Sequence, residues 1–301
     1  MKDFDKILET LSDGKFHSGK ALAQELNCSR SSVWKKIKSI KSQYDIEIFA
    51  VTGRGYKLQT AIEVLKKRHI LEFLSKPSLE SLVSCNVVTS TSSTNSLAMN
   101  SSPELNKGIA WFAEHQISGK GRRGREWYSP FGQNIYFSLA WNFNIALAEI
   151  SSLSIAAGAT LAALLHENGI REHELKWPND VLVQKSKISG ILLESFDDFI
   201  VAGIGLNVLK KPQNEIKWKT TKLYDHIDCV FPLKYIANAI LKIIFKNYHI
   251  WENKGFNFFR NKINKYIYNI NNKIVIKLNS QSVDICGFFL GVGDNGSLKI
   301  K

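Results

Sequence analysis

The chain has 301 residues, a hydrophobic content of 44% and a formal net charge of +13, enough length and apolar mass for two or three domains with sizeable cores. No apolar run of about 18 residues occurs and the N-terminus "MKDFDKILETLSDGK" is amphipathic and acid-bearing, which argues against a membrane span or secretory leader and for a cytoplasmic protein. The cysteines Cys28, Cys85, Cys229 and Cys286 show neither C-x-x-C pairing nor zinc-ligand spacing, so no disulfide framework or structural metal is indicated and reduced, mostly buried thiols are expected.

The positive charge is uneven. Residues 1–60 carry 11 basic and 7 acidic side chains, residues 61–233 carry 18 and 17, and residues 234–279 carry 9 and 1. A basic N-terminal module suits phosphate contacts. The basic, Asn-rich stretch near the C-terminus reads either as a solvated face or as a docking surface for an acidic partner.

Residues 1–60 repeat a helical period three times: Phe4, Ile7, Leu8 and Leu11, then Leu22 and Leu26, then Val33, Ile37 and Ile40,. Ser18 and Ser29 are placed to cap the second and third helices. "IEIFAV", "TGRG" and "YKLQ" then read as a β-hairpin. Three helices and a hairpin are the layout of a winged helix-turn-helix, with the helix-turn-helix from about Gly19 to Lys38. The third helix would enter the DNA major groove by its N-terminal end. Its candidate contacts are Ser29, Arg30, Ser31, Ser32, Lys35 and Lys36, with Arg54 at the hairpin tip. Serines and arginine suit base edges and phosphates, and lysines the backbone. Trp34 reads equally as core or interface.

Residues 61–80 read as a linking helix that stops before Pro77. From 81 to 268, strand-like runs ("LVSCNVV", "GIAWFAEHQ", "NIYFSLAWNF", "ILLESF", "FIVAGIGLNV") alternate with helical runs ("TNSLAMNS", "EISSLSIAAGATLAALLHENG", "LKYIANAILKIIFKNYHIWEN"). That is a mixed α/β domain. Residues 269–301 give "NKIVIKL", "SVDICGFFLGVG" and "SLKI" around turns at Asn279-Ser280 and Asp294–Gly296, a small β-barrel-like module.

Gly119-Lys-Gly-Arg-Arg-Gly124 fits G-x-G-x-x-G, the dinucleotide fingerprint. A strand precedes it, but the turn-rich "REWYSPFG" and then β-rich "QNIYFSLAW" follow it instead of a helix. No carboxylate stands about 20 residues on, where Ala140, Trp141 and Asn142 are found,. A glycine-rich loop bearing Lys120, Arg122, Arg123 and Arg125 is suited instead to folding over a phosphate-bearing ligand.

Six ordered motifs carry a resemblance. They are Ser93-Thr94-Asn95; Gln116 with Gly119-x-Gly-Arg-Arg-Gly124; Trp127 with Ser129-Pro130; Lys176-Trp-Pro-Asn-Asp180; Lys187-x-x-Gly190; and Gly203-Ile-Gly-x-Asn207. With the winged helix in front, the whole chain resembles the bifunctional biotin protein ligases that also repress the biotin operon. The resemblance implies an α+β (mixed α/β) fold: a winged helix, a central domain like the biotin/lipoyl protein ligases, and a small SH3-like C-terminal β module. It implies that biotin and ATP, with Mg2+, give biotinyl-5′-AMP, whose acyl group passes to a lysine of the biotin carboxyl carrier protein of acetyl-CoA carboxylase. Operator DNA and a homodimer formed when the adenylate is bound are the further partners.

Carried over residue by residue, Ser93, Thr94, Asn95 and Gln116 would hold biotin, whose ureido ring needs donors and acceptors in an apolar pocket. Lys120, Gly121 and Arg122 would close over the adenylate, and Lys187 would sit on the biotin carboxylate and α-phosphate. Asn179, Asp180 and Asn207 are candidates for ATP and metal contacts, Arg122 and Arg123 for further ATP contacts, and Trp127 for adenine stacking. Trp127 could equally be core, and Asp180 a turn residue after Pro178. The chain departs from the family at Lys120, where the loop usually has arginine: a point charge replaces a bidentate fork. A ligand-sensing transcription factor without catalysis and a lipoate-ligase relative are the rival readings.

Overall fold

The computed structural model describes residues 2–44, 46–72, 74–142, 151–196, 199–212, 219–228, 231–276 and 284–301. The first helices are α1 (Lys2–Leu11), α2 (Gly19–Glu25) and α3 (Arg30–Tyr44). The Ser18 hydroxyl accepts the Ala21 N–H at 3.0 Å and the Ser29 hydroxyl that of Ser32 at 3.2 Å, so both expected caps form. The hairpin follows as β1 (Ile48–Val51) and β2 (Gly55–Leu58), antiparallel with Ile48 opposite Leu58. At Gly55 φ is +98° and a Cβ would stand 2.1 Å from the His17 carbonyl oxygen; only glycine fits that approach. The apolar positions of all three helices converge on one core with Ile48 and Leu58.

No single helix links this module to the rest. The chain runs without regular structure to residue 66, then forms α4 (Lys67–Leu71) and α5 (Lys76–Glu80), with Pro77 in the first turn of α5. Proline is tolerated there because the first-turn N–H has no helical acceptor; it starts this helix where it was expected to end one. The apolar residues of the segment also divide between two cores: Ile62 joins the winged helix, while Leu65, Ile70 and Leu74 join the central domain.

The central sheet has seven strands: β3 (Leu82–Val88), β4 (Gly108–Ala113), β5 (Ile135–Trp141), β6 (His173–Lys176), β7 (Asp180–Val183), β8 (Ser186–Phe196) and β9 (Phe199–Leu206). Their order is β3-β4-β5-β9-β8-β7-β6. Among the described residues only β3 and β4 run parallel, joined over one face by α6 (Thr94–Met99). Helices α7 (Ser151–Glu167), α8 (Leu233–Lys254) and α9 (Asn257–Tyr266) bury the main core against the sheet. Every residue of β5 is buried, as expected of a strand covered on both faces.

The C-terminal residues form β10 (Lys273–Ile276), β11 (Ile285–Val292) and β12 (Leu298–Ile300), an antiparallel three-stranded sheet among the described residues. The Asn279-Ser280 turn lies outside them. The module is docked: Asn264 Oδ1 accepts the Val292 N–H at 2.8 Å, and the Trp177 indole donates to the Gly296 carbonyl at 3.0 Å. Of the cysteines, Cys85 is buried, with its thiol pushed up to about 12 by burial, Cys28 is intermediate and Cys286 is exposed; Cys229 lies outside the described residues. No helix among the described residues is long and apolar enough to cross a membrane.

Candidate active site

A cleft of about 440 Å3, open solvent included, lies on the α6 side of the sheet. Its floor is β8 and β9, where Gly190, Gly203 and Gly205 leave room. A Cβ on Gly203 would fall 2.0 Å from Asn95 Oδ1, and one on Gly205 2.2 Å from the Trp127 ring. Ile191, Leu192 and Ile204 make the floor apolar. The sequence places glycine here so that side chains from α6 and the loop can lie directly on the backbone.

The start of α6 supplies Ser93, Thr94 and Asn95, each 3% exposed. Ser93 caps the helix through the Asn95 N–H at 3.2 Å. Ser138 Oγ lies 2.7 Å from Thr94 Oγ1 and 2.6 Å from Asn95 Oδ1. The Thr94 N–H donates to Gln116 Oε1 at 2.8 Å, Gln116 Nε2 donates to Ser129 Oγ at 3.0 Å, and that hydroxyl donates to the Trp127 carbonyl at 2.9 Å. Asn95 Nδ2 donates to Glu194 Oε2 at 2.7 Å. This continuous network fixes donors and acceptors at one end of an apolar cleft, which suits a small ligand with a polar, amide-like head.

The other end is cationic. Loop residues 119–127 fold back on themselves: the Gly121 N–H donates to the Arg125 carbonyl at 2.7 Å and the Trp127 N–H to the Gly119 carbonyl at 2.8 Å. A short 3-10 turn at Arg122–Gly124, then β5, follows the glycines, the arrangement that separates this loop from a dinucleotide turn. Arg122 Nη1 donates to Asn179 Oδ1 at 3.2 Å. Partial desolvation, and then the neighbouring Arg123, lower the Arg122 pKa, with Asp180 opposing that shift. Lys187 Nζ lies 2.8 Å from Asp180 Oδ1 and 5.3 Å from the centroid of Trp127. Burial lowers Lys176 to about 8, with Asp180 opposing that shift.

The cleft therefore gathers Ser93, Thr94, Asn95, Gln116, Lys120, Gly121, Arg122, Trp127, Asn179 and Lys187. Asp180 stands behind them as the partner of Lys187. Two expected residues stand apart: Arg123 is exposed, at φ 59°, and Asn207 is 2% exposed with its Nδ2 donating to the Thr221 carbonyl at 3.1 Å. Asn207 braces the end of β9. Ser138 and Glu194 escape the motif reading, although Ser138 is a fully buried polar residue in an apolar strand, the signal of a buried polar group with a task,; Glu194 is half-buried near the mixed, more exposed end of β8 and gives no such signal.

In the winged helix, Ser29 caps α3, Arg30, Ser31, Lys35 and Arg54 are exposed, and Ser32 is half-buried. Lys36 is half-buried and its ammonium also pairs with Asp3 at 3.0 Å, which lowers that carboxyl's pKa and ties α1 to α3. Trp34 is resolved in favour of the surface, at 54% exposed. The Arg54 guanidinium stacks on Phe16 at 4.1 Å.

Residues 85–208 match the biotin/lipoate A/B protein ligase family and residues 5–57 an HTH domain. The two matches are consecutive in the chain and fall on the ligase-like cleft and on the winged helix. The "Bifunctional ligase/repressor BirA" of Escherichia coli is 35% identical over 215 residues, 70% of this chain and 65% of the relative. The match thus spans less than two thirds of that relative's length. The protein of the same name from Bacillus subtilis is 28% identical over 298 residues, 95% of this chain and 90% of the relative. Among solved structures, the biotin protein ligase of Aquifex aeolicus in complex with biotin and ATP superimposes with a TM-score of 0.60 at 29% identity, covering 73% of this chain and 91% of that one.

Proposed function

We propose that the protein is an ATP-dependent biotin protein ligase that also represses the biotin operon. The observation that carries the reading is the joining, in one cleft, of the Thr94–Gln116–Ser129 network to the Arg122–Lys187 cationic mouth over a glycine floor.

In the first step the biotin carboxylate attacks the α-phosphorus of ATP, a P–O bond forms and pyrophosphate leaves. Lys187, between the two reacting groups, offsets the charge that grows on the α-phosphate oxygens. Asp180 holds the Lys187 ammonium in place before substrate arrives. In the second step the neutral ε-amine of the carrier lysine attacks the acyl carbon, AMP leaves, and an amide forms with loss of the amine proton. No enzyme nucleophile is required. Mg2+ belongs to the ATP substrate, held by phosphate oxygens and water; among the described residues no group of three or more His, Cys, Asp or Glu side chains could hold a metal.

The partners that fit are the biotin carboxyl carrier protein, operator DNA and, with the adenylate bound, a second copy of the chain, all in the cytoplasm. The C-terminal sheet is the SH3-like module of the same architecture. Incubation of the purified protein with ATP, a carrier protein and either radiolabelled biotin or lipoate tests the reading. Label transferred from biotin alone, with one AMP per biotin, is expected. Transfer from lipoate instead places the chain with the lipoate ligases, and DNA binding without transfer of either leaves a ligand-sensing transcription factor.

A further inference from the structure

The outward face of α3 carries an aromatic side chain that its fold does not use. Arg30, Ser31, Trp34, Lys35 and Lys38 are exposed, while Val33, Ile37, Ile40 and Tyr44 are buried. The spacing puts the exposed five on a single stripe. In the middle of that cationic stripe stands an indole with 54% of its surface in water. Its described partner is the Lys38 ammonium, 5.7 Å from the ring centroid. That cation–π contact, one helical turn along, steadies the ring without covering it.

Trp34 also forms one wall of a groove between α3 and the hairpin, enclosing about 1230 Å3 with open solvent included. Arg30 and Ser31 line the same wall, Lys20 flanks it, and Val51 and Thr52 form the opposite side. Cations at the rim and an apolar patch within are complementary to a duplex edge, where phosphates flank base surfaces whose exposed apolar group is the thymine 5-methyl.

We infer that Trp34 is a specificity-determining residue of the DNA interface, its indole ring packing on a thymine methyl in the major groove while Arg30, Lys35 and Lys38 hold the flanking backbone. The inference rests on the DNA-binding part of the proposed function. A ring that reads a methyl group discriminates among sequences, whereas a ring that packs on deoxyribose weakens or strengthens all of them alike.

The test is selection from random-sequence duplex DNA by the full-length protein with biotin and ATP present, followed by affinity measurements on the selected duplex with each thymine replaced in turn by deoxyuracil. For the wild type, loss of one methyl should weaken binding roughly fivefold to tenfold at one or two positions. Trp34→Ala should bind the parent duplex roughly tenfold more weakly and show no further loss at those positions. Trp34→Phe should keep the sensitivity, since it keeps an apolar ring. Trp34 is exposed, so both variants should melt with the wild type. A Trp34→Ala protein that loses as much as the wild type on thymine-to-deoxyuracil exchange overturns the inference alone. A wild type that enriches no sequence overturns the DNA reading and the inference with it.

Discussion

The Nζ of Lys187 and the Oδ1 of Asp180 lie 2.8 Å apart, with side chains 24% and 17% exposed. The pair sits at the cationic mouth of the cleft, so an arriving anion meets an ammonium already aimed. Lys187→Ala should reduce biotin-dependent pyrophosphate exchange at least about 100-fold, about 3 kcal/mol in barrier height, while DNA binding by α3 is unchanged. Exchange within about tenfold of wild type, equivalent to only about 1.4 kcal/mol, would show that Lys187 does not touch the reacting groups.

Gly203 is the floor on which Asn95 rests. A Cβ there would meet the Asn95 carboxamide at 2.0 Å, pushing it away from Ser138 and Glu194. Gly203→Ala should weaken biotin binding by roughly the 1–3 kcal/mol typical of overpacking. Gly190→Ala meets the flexible end of Lys187 at 3.0 Å and the Trp127 ring at 3.1 Å, and should cost less. Calorimetric titration with biotin checks both. Equal affinities for the two variants would remove the Asn95 contact from the account.

These two predictions also mark what could be read in the sequence. Lys187, Gln116 and the Ser93–Asn95 turn were legible because each lies in a short motif whose residues are close in sequence. Ser138 and Glu194 were not, because their roles arise when β5 and β8 are brought under α6, a relation set by sheet order. The linker was misread for a similar reason. Proline and helical periodicity at 61–80 describe local preference, whereas Ile62 and Leu65 are drawn into different cores. Lys36 shows the same limit: on the helix it matches Lys35, and only the approach of Asp3 separates them.

That separation is measurable. Lys35→Ala should lower the slope of log affinity against log salt by about 1, the loss of one phosphate contact. Lys36→Ala should leave the slope unchanged and instead loosen α1 from α3. Affinity measured across a salt series decides between them, and equal slopes for the two variants would return Lys36 to the DNA face.

Glu114 gives the fold a pH dependence of its own. It is 2% exposed, its Oε1 accepts the Leu65 N–H at the junction of the two domains, and burial raises its pKa from 4.5 to about 8. Between those values the native chain holds a proton that the unfolded chain has released, so stability falls as pH rises, by up to about 1.4 kcal/mol per pH unit. Glu114→Gln keeps an acceptor for Leu65 and cannot ionise. Its stability advantage over wild type in urea should therefore grow steadily from about pH 5 to about pH 8. Parallel pH profiles would mean that Glu114 is ionised in the folded state.

Phe131 belongs to the segment that ends the cationic loop, yet its side chain is 1% exposed in the winged-helix core, 5.2 Å from the ring of Tyr44 in α3. His115, at the other root of the loop, meets the same ring edge-on at 5.1 Å. Both ends of the segment that carries Gln116, Arg122 and Trp127 are therefore seated against the winged helix. Closure of the loop over the adenylate should stiffen α3 directly, whatever it does to dimerisation. In hydrogen exchange, biotin and ATP together should slow the amides of α3 in the wild type. Phe131→Ala should lose about 3–5 kcal/mol of stability in the winged helix and, where that module stays folded, should abolish the ligand-dependent slowing. Adenylate formation should persist, because the cleft side chains are untouched. If α3 slows equally in both proteins, the two loop roots transmit nothing from the cleft to the winged helix.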